Sequence, residues 1–146
     1  MTDPTESQGI PKSPGAEEKT APKKKLRLLV VDDHEVVRQG LAALLNRRDA
    51  FQVVAEAGTV EEALSAVERF SPDLVIMDVR LPDGSGIEAC RDIRAEHPDV
   101  RVVMLTSYHD EEAVLSAIVA GASGYLLTQV RARDLVNALE AVGRGE

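Results

Sequence analysis

Lysine is missing from most of this 146-residue sequence, since all five lysines (Lys12, Lys19, Lys23, Lys24 and Lys25) fall within the first 25 residues. Residues 26–146 hold twelve Arg against twenty-one acids, a balance of −9, and the first 25 residues hold five Lys against four acids, a balance of +1; together they give the formal net charge of −8. Tryptophan is absent as well, and the aromatics are two Phe and two Tyr. An acidic body without ring surfaces lacks both the electrostatic footprint and the stacking platforms that hold nucleic acid, so no direct DNA or RNA binding by this domain is expected. No apolar run approaches the roughly 20 residues that cross a bilayer, and no apolar export segment follows Met1. A soluble, unexported protein with no membrane partner is expected. The one cysteine, Cys90, permits no internal disulfide; it reads as a small core residue and suits a reducing compartment.

What is present divides the chain in two. Residues 1–25 carry four of the seven prolines (Pro4, Pro11, Pro14, Pro22), with Met1 and Ile10 as their only larger apolar side chains. Such a segment buries too little surface to offset its chain entropy, so a disordered tail is predicted, with Lys23, Lys24 and Lys25 as a solvated charge cluster. From Leu26 onward, short runs of Val, Ile and Leu alternate with segments of helical period. The runs Leu26–Val31, Phe51–Ala57, Leu74–Met77, Val100–Leu105 and Tyr125–Leu127 are strand candidates. Between and after them lie five apolar stripes: Val37, Leu41, Leu44 and Leu45; Val60, Ala63, Leu64 and Val67; Ile87, Cys90 and Ile93; Val114, Ala117, Ile118 and Ala120; Leu135, Val136, Leu139 and Val142. Thr59 ahead of Glu61 and Glu62 reads as a helix start, and Ser71-Pro72 and His97-Pro98 read as stops. Apolar strands imply burial on both faces, and the alternation implies a parallel sheet with helices on either side. The predicted fold is an α/β, doubly wound (βα)5 domain over residues 26–143, with residues 144–146 starting a linker or C-terminal tail.

In an open parallel sheet the functional crevice lies beyond the carboxyl ends of the strands, where strand order reverses. Asp32 and Asp33 follow the first strand candidate, Asp78 the third, Thr106 and Ser107 the fourth, and Thr128 the fifth. Taken singly, each acid is accounted for as a solvated loop residue or a helix cap, Asp33 before His34-Glu35 above all. Together they predict three carboxylates and two hydroxyls converging on one edge. Carboxylates a few ångströms apart repel by roughly 4 kcal/mol per pair at an effective dielectric of about 20, so a cation is expected among them. Oxygen ligands on rigid strand ends suit Mg2+. Neither His34 nor His109 has a Cys or His partner at metal-ligand spacing, which speaks against zinc. A strand-end aspartate beside such a cation is also a credible nucleophile toward a phosphoryl group, with Thr106 placed to hydrogen-bond the product.

The segments LLVVDDHEVVRQGL, VIMDVRLPDGSGIEACRDIR and VVMLTSYHDEEAVLSAIVAGASGYLL resemble the receiver domain of bacterial two-component response regulators, specifically the NarL/FixJ (DevR-like) group. The likeness covers residues 26–143. It implies a flavodoxin-like fold and a cytoplasmic, bacterial protein that takes a phosphoryl group from a sensor histidine kinase without turning over an external substrate. On matching positions it implies that Asp78 is the phosphoacceptor and Asp33 a direct Mg2+ ligand. Asp32 would help through water, Arg80 would lend its backbone carbonyl, Thr106 would be the switch hydroxyl and Tyr125 the switch aromatic. Leu81-Pro82-Asp83-Gly84 matches the loop after the acceptor, where Pro and Gly supply the turn. The resemblance also implies an output helix-turn-helix DNA-binding domain in a longer version, read out through a homodimer or that domain. The present chain is expected to be a receiver fragment or a stand-alone receiver.

One position departs from the family pattern. Where a lysine normally follows Gly-Tyr and two apolar residues, the sequence reads Gly124, Tyr125, Leu126, Leu127, Thr128. Thr128 keeps a hydroxyl and loses a full charge. The competing expectation is therefore a receiver-like interaction module that works without phosphorylation. The costly cluster Asp32, Asp33, Asp78 and Thr106 argues against it. A flavin-binding flavodoxin fits less well because two carboxylates would repel the flavin phosphate. An Asp-x-Asp phosphatase fits poorly because Arg80 stands at the second Asp position.

Overall fold

The computed structural model describes residues 24–107 and 111–145. The predicted tail lies outside the described residues except for Lys24 and Lys25, which are exposed, and His109 and Glu146 lie outside them too. Five parallel strands, β1 (Leu26–Val31), β2 (Phe51–Ala57), β3 (Leu74–Met77), β4 (Arg101–Thr106) and β5 (Gly124–Leu127), form one sheet. Its order is β2-β1-β3-β4-β5. Five helices alternate with them: α1 (Glu35–Asn46), α2 (Val60–Phe70), α3 (Gly86–Glu96), α4 (Glu111–Val119) and α5 (Ala132–Gly143). A two-residue ribbon pairs Arg80–Leu81 with Gly84–Ser85 between β3 and α3.

The strand periodicity sorts the core into two layers. Leu28 and Val30, Leu74 and Ile76, and Val103 and Leu105 face one way, against Leu45 of α1 and Leu135, Val136, Leu139 and Val142 of α5. Their alternates Leu29 and Val31, Val75 and Met77, and Val102 and Met104 face the other way, against α2, α3 and α4. Both faces of the three central strands are therefore covered, which is why those strands read as unbroken apolar runs. Cys90 is fully buried in the second layer. Its thiol donates to the Ala120 carbonyl, and burial pushes its pKa up to about 11.

Local signals ended the helices as expected. Thr59 caps α2 by accepting from the Glu62 N–H, and Ser71 closes α2 in the left-handed region at φ 47°. Four expectations shift. Strand β4 starts at Arg101, because the Val100 N–H turns back to the His97 carbonyl and is spent on closing α3. Thr106 accordingly ends β4, paired with Leu127, and β5 begins at Gly124. In α4 the buried face is Ala113 and Ala117, with Ala120 just beyond the helix, while Ile118 of the expected stripe is 61 % exposed. Small side chains let that helix lie close to the sheet and turn the larger ones outward. In α1, Val37 of the expected stripe is also exposed, and Ala42 and Leu45 make the contact.

Candidate functional site

Strand order reverses between β1 and β3, so the chain leaves the sheet on opposite sides at adjacent strand ends and a crevice opens between them. Asp32 follows β1 directly, its N–H held by the Ala57 carbonyl at 3.0 Å; Asp78 follows β3, its N–H held by the Val31 carbonyl at 3.1 Å. Ladder bonds thus extend one residue past each strand and fix both backbones. Donor atoms of Asp32, Asp33, His34 and Asp78 all lie within 4.8 Å of one another. Asp32 is 7 % exposed, Asp78 9 % and Thr106 1 %, the only buried polar or charged residues among those described.

Burial pushes the Asp78 carboxyl above its ordinary value, and the neighbouring Asp32 charge adds to that. The Thr106 hydroxyl and the N–H groups of Arg80 and Val79 donate to the same carboxylate and pull the other way. Asp78 is a desolvated carboxylate held in a fixed orientation by donors from β4 and from its own loop. The loop approaches closely: the Gly86 N–H donates to the Val79 carbonyl at 2.7 Å, and a Cβ on Gly86 would lie 1.9 Å from the Asp78 carbonyl oxygen. Only glycine fits there.

The structure brings together Asp32, Asp33, Asp78 and Thr106, as the sequence led one to expect. Thr128 stands just past β5, exposed, and its N–H donates to the Thr106 carbonyl at 2.9 Å. Tyr125 lies three residues earlier, half-buried and packed on the α2–α4 side of the sheet. Arg80 stands two residues after Asp78 at the start of the ribbon, where it pairs with Ser85. Asp33 is not a cap of α1: His34 occupies that position without a side-chain cap. Lys24 and Lys25, the only lysines among the described residues, precede β1. They stand a strand's length, roughly 20 Å at about 3.3 Å per residue, from the acids at its other end.

Three contributors were missed from sequence. His34 accepts no role as a zinc ligand by spacing, yet its Nδ1 lies 3.0 Å from Asp32 Oδ1 and 3.3 Å from Asp33 Oδ1. The hydrogen bond to Asp32 and the charges of both acids raise its pKa. Two adjacent aspartates before a histidine were a readable signal for this. Arg38 donates to the Asp32 carbonyl at 2.9 Å. Asp83, read only as a turn residue, accepts from the Val60 and Glu61 N–H groups at 2.7 and 3.1 Å and so caps α2 from the loop after Asp78. These two reach across the fold, and nothing local announced them.

A crowded set of carboxylate oxygens, two of the three acids being buried, fits a hard divalent cation better than a soft one, because three of the four clustered residues offer oxygen. Among the described residues no helix is long and apolar enough to cross a membrane.

Comparison with known proteins agrees with this geometry. The chain is 49 % identical over 120 residues, 82 % of its length, to the DNA-binding transcriptional activator DevR/DosR of Mycobacterium tuberculosis (strain ATCC 25618 / H37Rv), of which the match covers 55 %. It is 36 % identical over 121 residues, 83 % of the chain and 58 % of the relative, to the response regulator protein VraR of Staphylococcus aureus. The chain thus spans about half the length of these curated relatives. Among solved structures, a two-component response regulator of the LuxR family from Aurantimonas sp. SI85-9A1 superposes with a TM-score of 0.80 at 39 % identity, covering 84 % of this chain and 88 % of that one. The signal receiver domain of the putative response regulator NarL from Mycobacterium tuberculosis superposes at 0.81 with 27 % identity, covering 85 % and 100 %. The family described as the response regulator receiver domain matches residues 28–140, and the chain, a five-stranded α/β receiver fold, belongs to that family.

Proposed function

We propose that this receiver domain accepts a phosphoryl group on Asp78 from a sensor histidine kinase, with Mg2+ held by Asp33, Asp78 and the Arg80 backbone carbonyl, and by Asp32 through water. The observation that carries the reading is the placement of Asp78: a desolvated carboxylate at a strand end, oriented by the Thr106 hydroxyl, with Asp32 and Asp33 beside it. In the transfer, an Asp78 oxygen attacks phosphorus, the bond from phosphorus to the donor's histidine nitrogen breaks, and an acyl phosphate remains. When bound, Mg2+ supplies positive charge against the phosphoryl oxygens. Thr106 donates to the transferred group once the carboxylate has been phosphorylated, and Tyr125, on the strand paired with that of Thr106, follows that change by turning inward. The new charge of about −1.5 to −2 biases the β4-to-α5 face between two arrangements, which a second copy of the chain or a helix-turn-helix output domain then reads. The domain acts on itself in the bacterial cytoplasm and turns over no external substrate.

Thr128 favours a second reading, an interaction module indifferent to phosphate, because an exposed threonine stands where the family has a lysine. One experiment separates the two. The chain is incubated with acetyl phosphate and Mg2+ and its intact mass recorded. A single phosphoryl adduct that is lost in Asp78→Asn supports the first reading, and an unmodified chain supports the second.

A further inference from the structure

We infer that Arg38 is a positioning residue for the acidic pair, holding the peptide between Asp32 and Asp33 so that both carboxylates face the same cation. The inference rests on the reading of those acids as the Mg2+ site. Arg38 lies on α1, yet its side chain is only 18 % exposed. Its Nη1 donates to the Asp32 carbonyl at 2.9 Å while its Nε donates to Glu56 Oε1 of β2 at 3.0 Å. A Cβ on Gly58 would stand 3.3 Å from that Nη1, so the glycine leaves the guanidinium its path. The Asp32 N–H is already held by the Ala57 carbonyl. Both sides of the Asp32 residue are therefore tied, one by the sheet and one by the arginine fork. Rotation about the Asp32 Cα–C bond swings the Asp33 carboxylate, and the carbonyl that Arg38 grips is the handle of that rotation.

Charge and geometry pull in opposite directions here. A guanidinium beside the site disfavours an added cation, so as a mere charge Arg38 would weaken metal binding. As a clamp it strengthens binding, because the ligands need no reordering. Lysine separates the two: it keeps the charge, but its compact ammonium cannot span the carbonyl and Glu56 in one rigid plane.

The test is a Mn2+ titration of the full chain followed by electron paramagnetic resonance of the free ion, together with the 13C shift of the Asp32 carbonyl. Arg38→Lys is expected to weaken Mn2+ binding about 10- to 100-fold and to move the Asp32 carbonyl signal. Glu56→Gln, which keeps an acceptor oxygen for Nε, should bind nearly as the parent does, whereas Glu56→Ala should follow Arg38→Lys. Parental affinity in Arg38→Lys, or tighter binding in Arg38→Gln with Arg38→Lys unchanged, would overturn the inference. Asp33→Asn reports on the underlying reading: if it binds Mn2+ like the parent, the metal site falls. In that event the clamp falls with the site, whereas weakened binding in Asp33→Asn beside parental binding in Arg38→Lys refutes the clamp alone.

Discussion

Asp78 is 9 % exposed, and burial, followed by the Asp32 charge, raises its pKa above that of an unfolded aspartate. The native state therefore binds more protons than the unfolded one between the two values. Its stability is fully supported below the unfolded carboxylate pKa and declines as pH rises through the folded one. Asp78→Asn is expected to melt higher than the parent at neutral pH in a chelator, with the difference shrinking on acidification; equal melting curves at neutral pH would show that the carboxylate is not strained. Mg2+ should raise the parent's melting temperature and do much less for the variant, since stabilisation by a ligand is about 2.7 kcal/mol at a hundred times its dissociation constant. Thr128 belongs to the same scale. A charge-assisted hydrogen bond contributes roughly 1.5 to 3 kcal/mol, so Thr128→Lys is expected to tighten beryllium trifluoride binding about 10- to 150-fold in the presence of Mg2+. Equal affinity in a titration would mean that the missing charge has little weight.

Helix α2 and the loop after Asp78 are joined by one side chain. The Asp83 carboxylate accepts from the first two N–H groups of α2, and these bonds hold its pKa below the ordinary carboxylate range. That contribution is present above the unfolded pKa and is lost as pH falls through the lower folded one. Asp83→Ala is expected to speed hydrogen exchange at Val60 and Glu61 and to lower the melting temperature at neutral pH, the parent approaching the variant as acid protonates Asp83. Thr59, which caps the same turn, was legible from its place before Glu61 and Glu62. Asp83 was not, because a turn residue twenty-odd positions away shows no local pattern. The same contrast runs through the elements: β1, β2 and β3 announce their bounds by composition, whereas the end of β4 and the outward turn of Ile118 were set by partners elsewhere in the fold.

Across the whole molecule the two core layers differ in what fills them. Leu45, Leu135 and Leu139 anchor α1 and α5 with large side chains. Leu139→Ala should cost about 2–5 kcal/mol of unfolding free energy in urea, while Leu115→Ala, on the exposed side of α4, should stay within about 0.5 kcal/mol. The site was legible at this scale because the sheet's topology collects strand ends. The acids and Thr106 had to meet once the strands were parallel, and only their supports, His34, Arg38 and Asp83, depended on details of packing.

Helix α4 grips the sheet through Ala113 and Ala117 while Leu115, Ile118 and Val119 face outward. An alanine methyl anchors far less than a leucine, so loosening this helix sacrifices little dispersion and uncovers little oily surface. Its backbone amides should accordingly acquire deuterium before those of the other four helices, and a stimulus too weak to disturb α5 could still rearrange this corner.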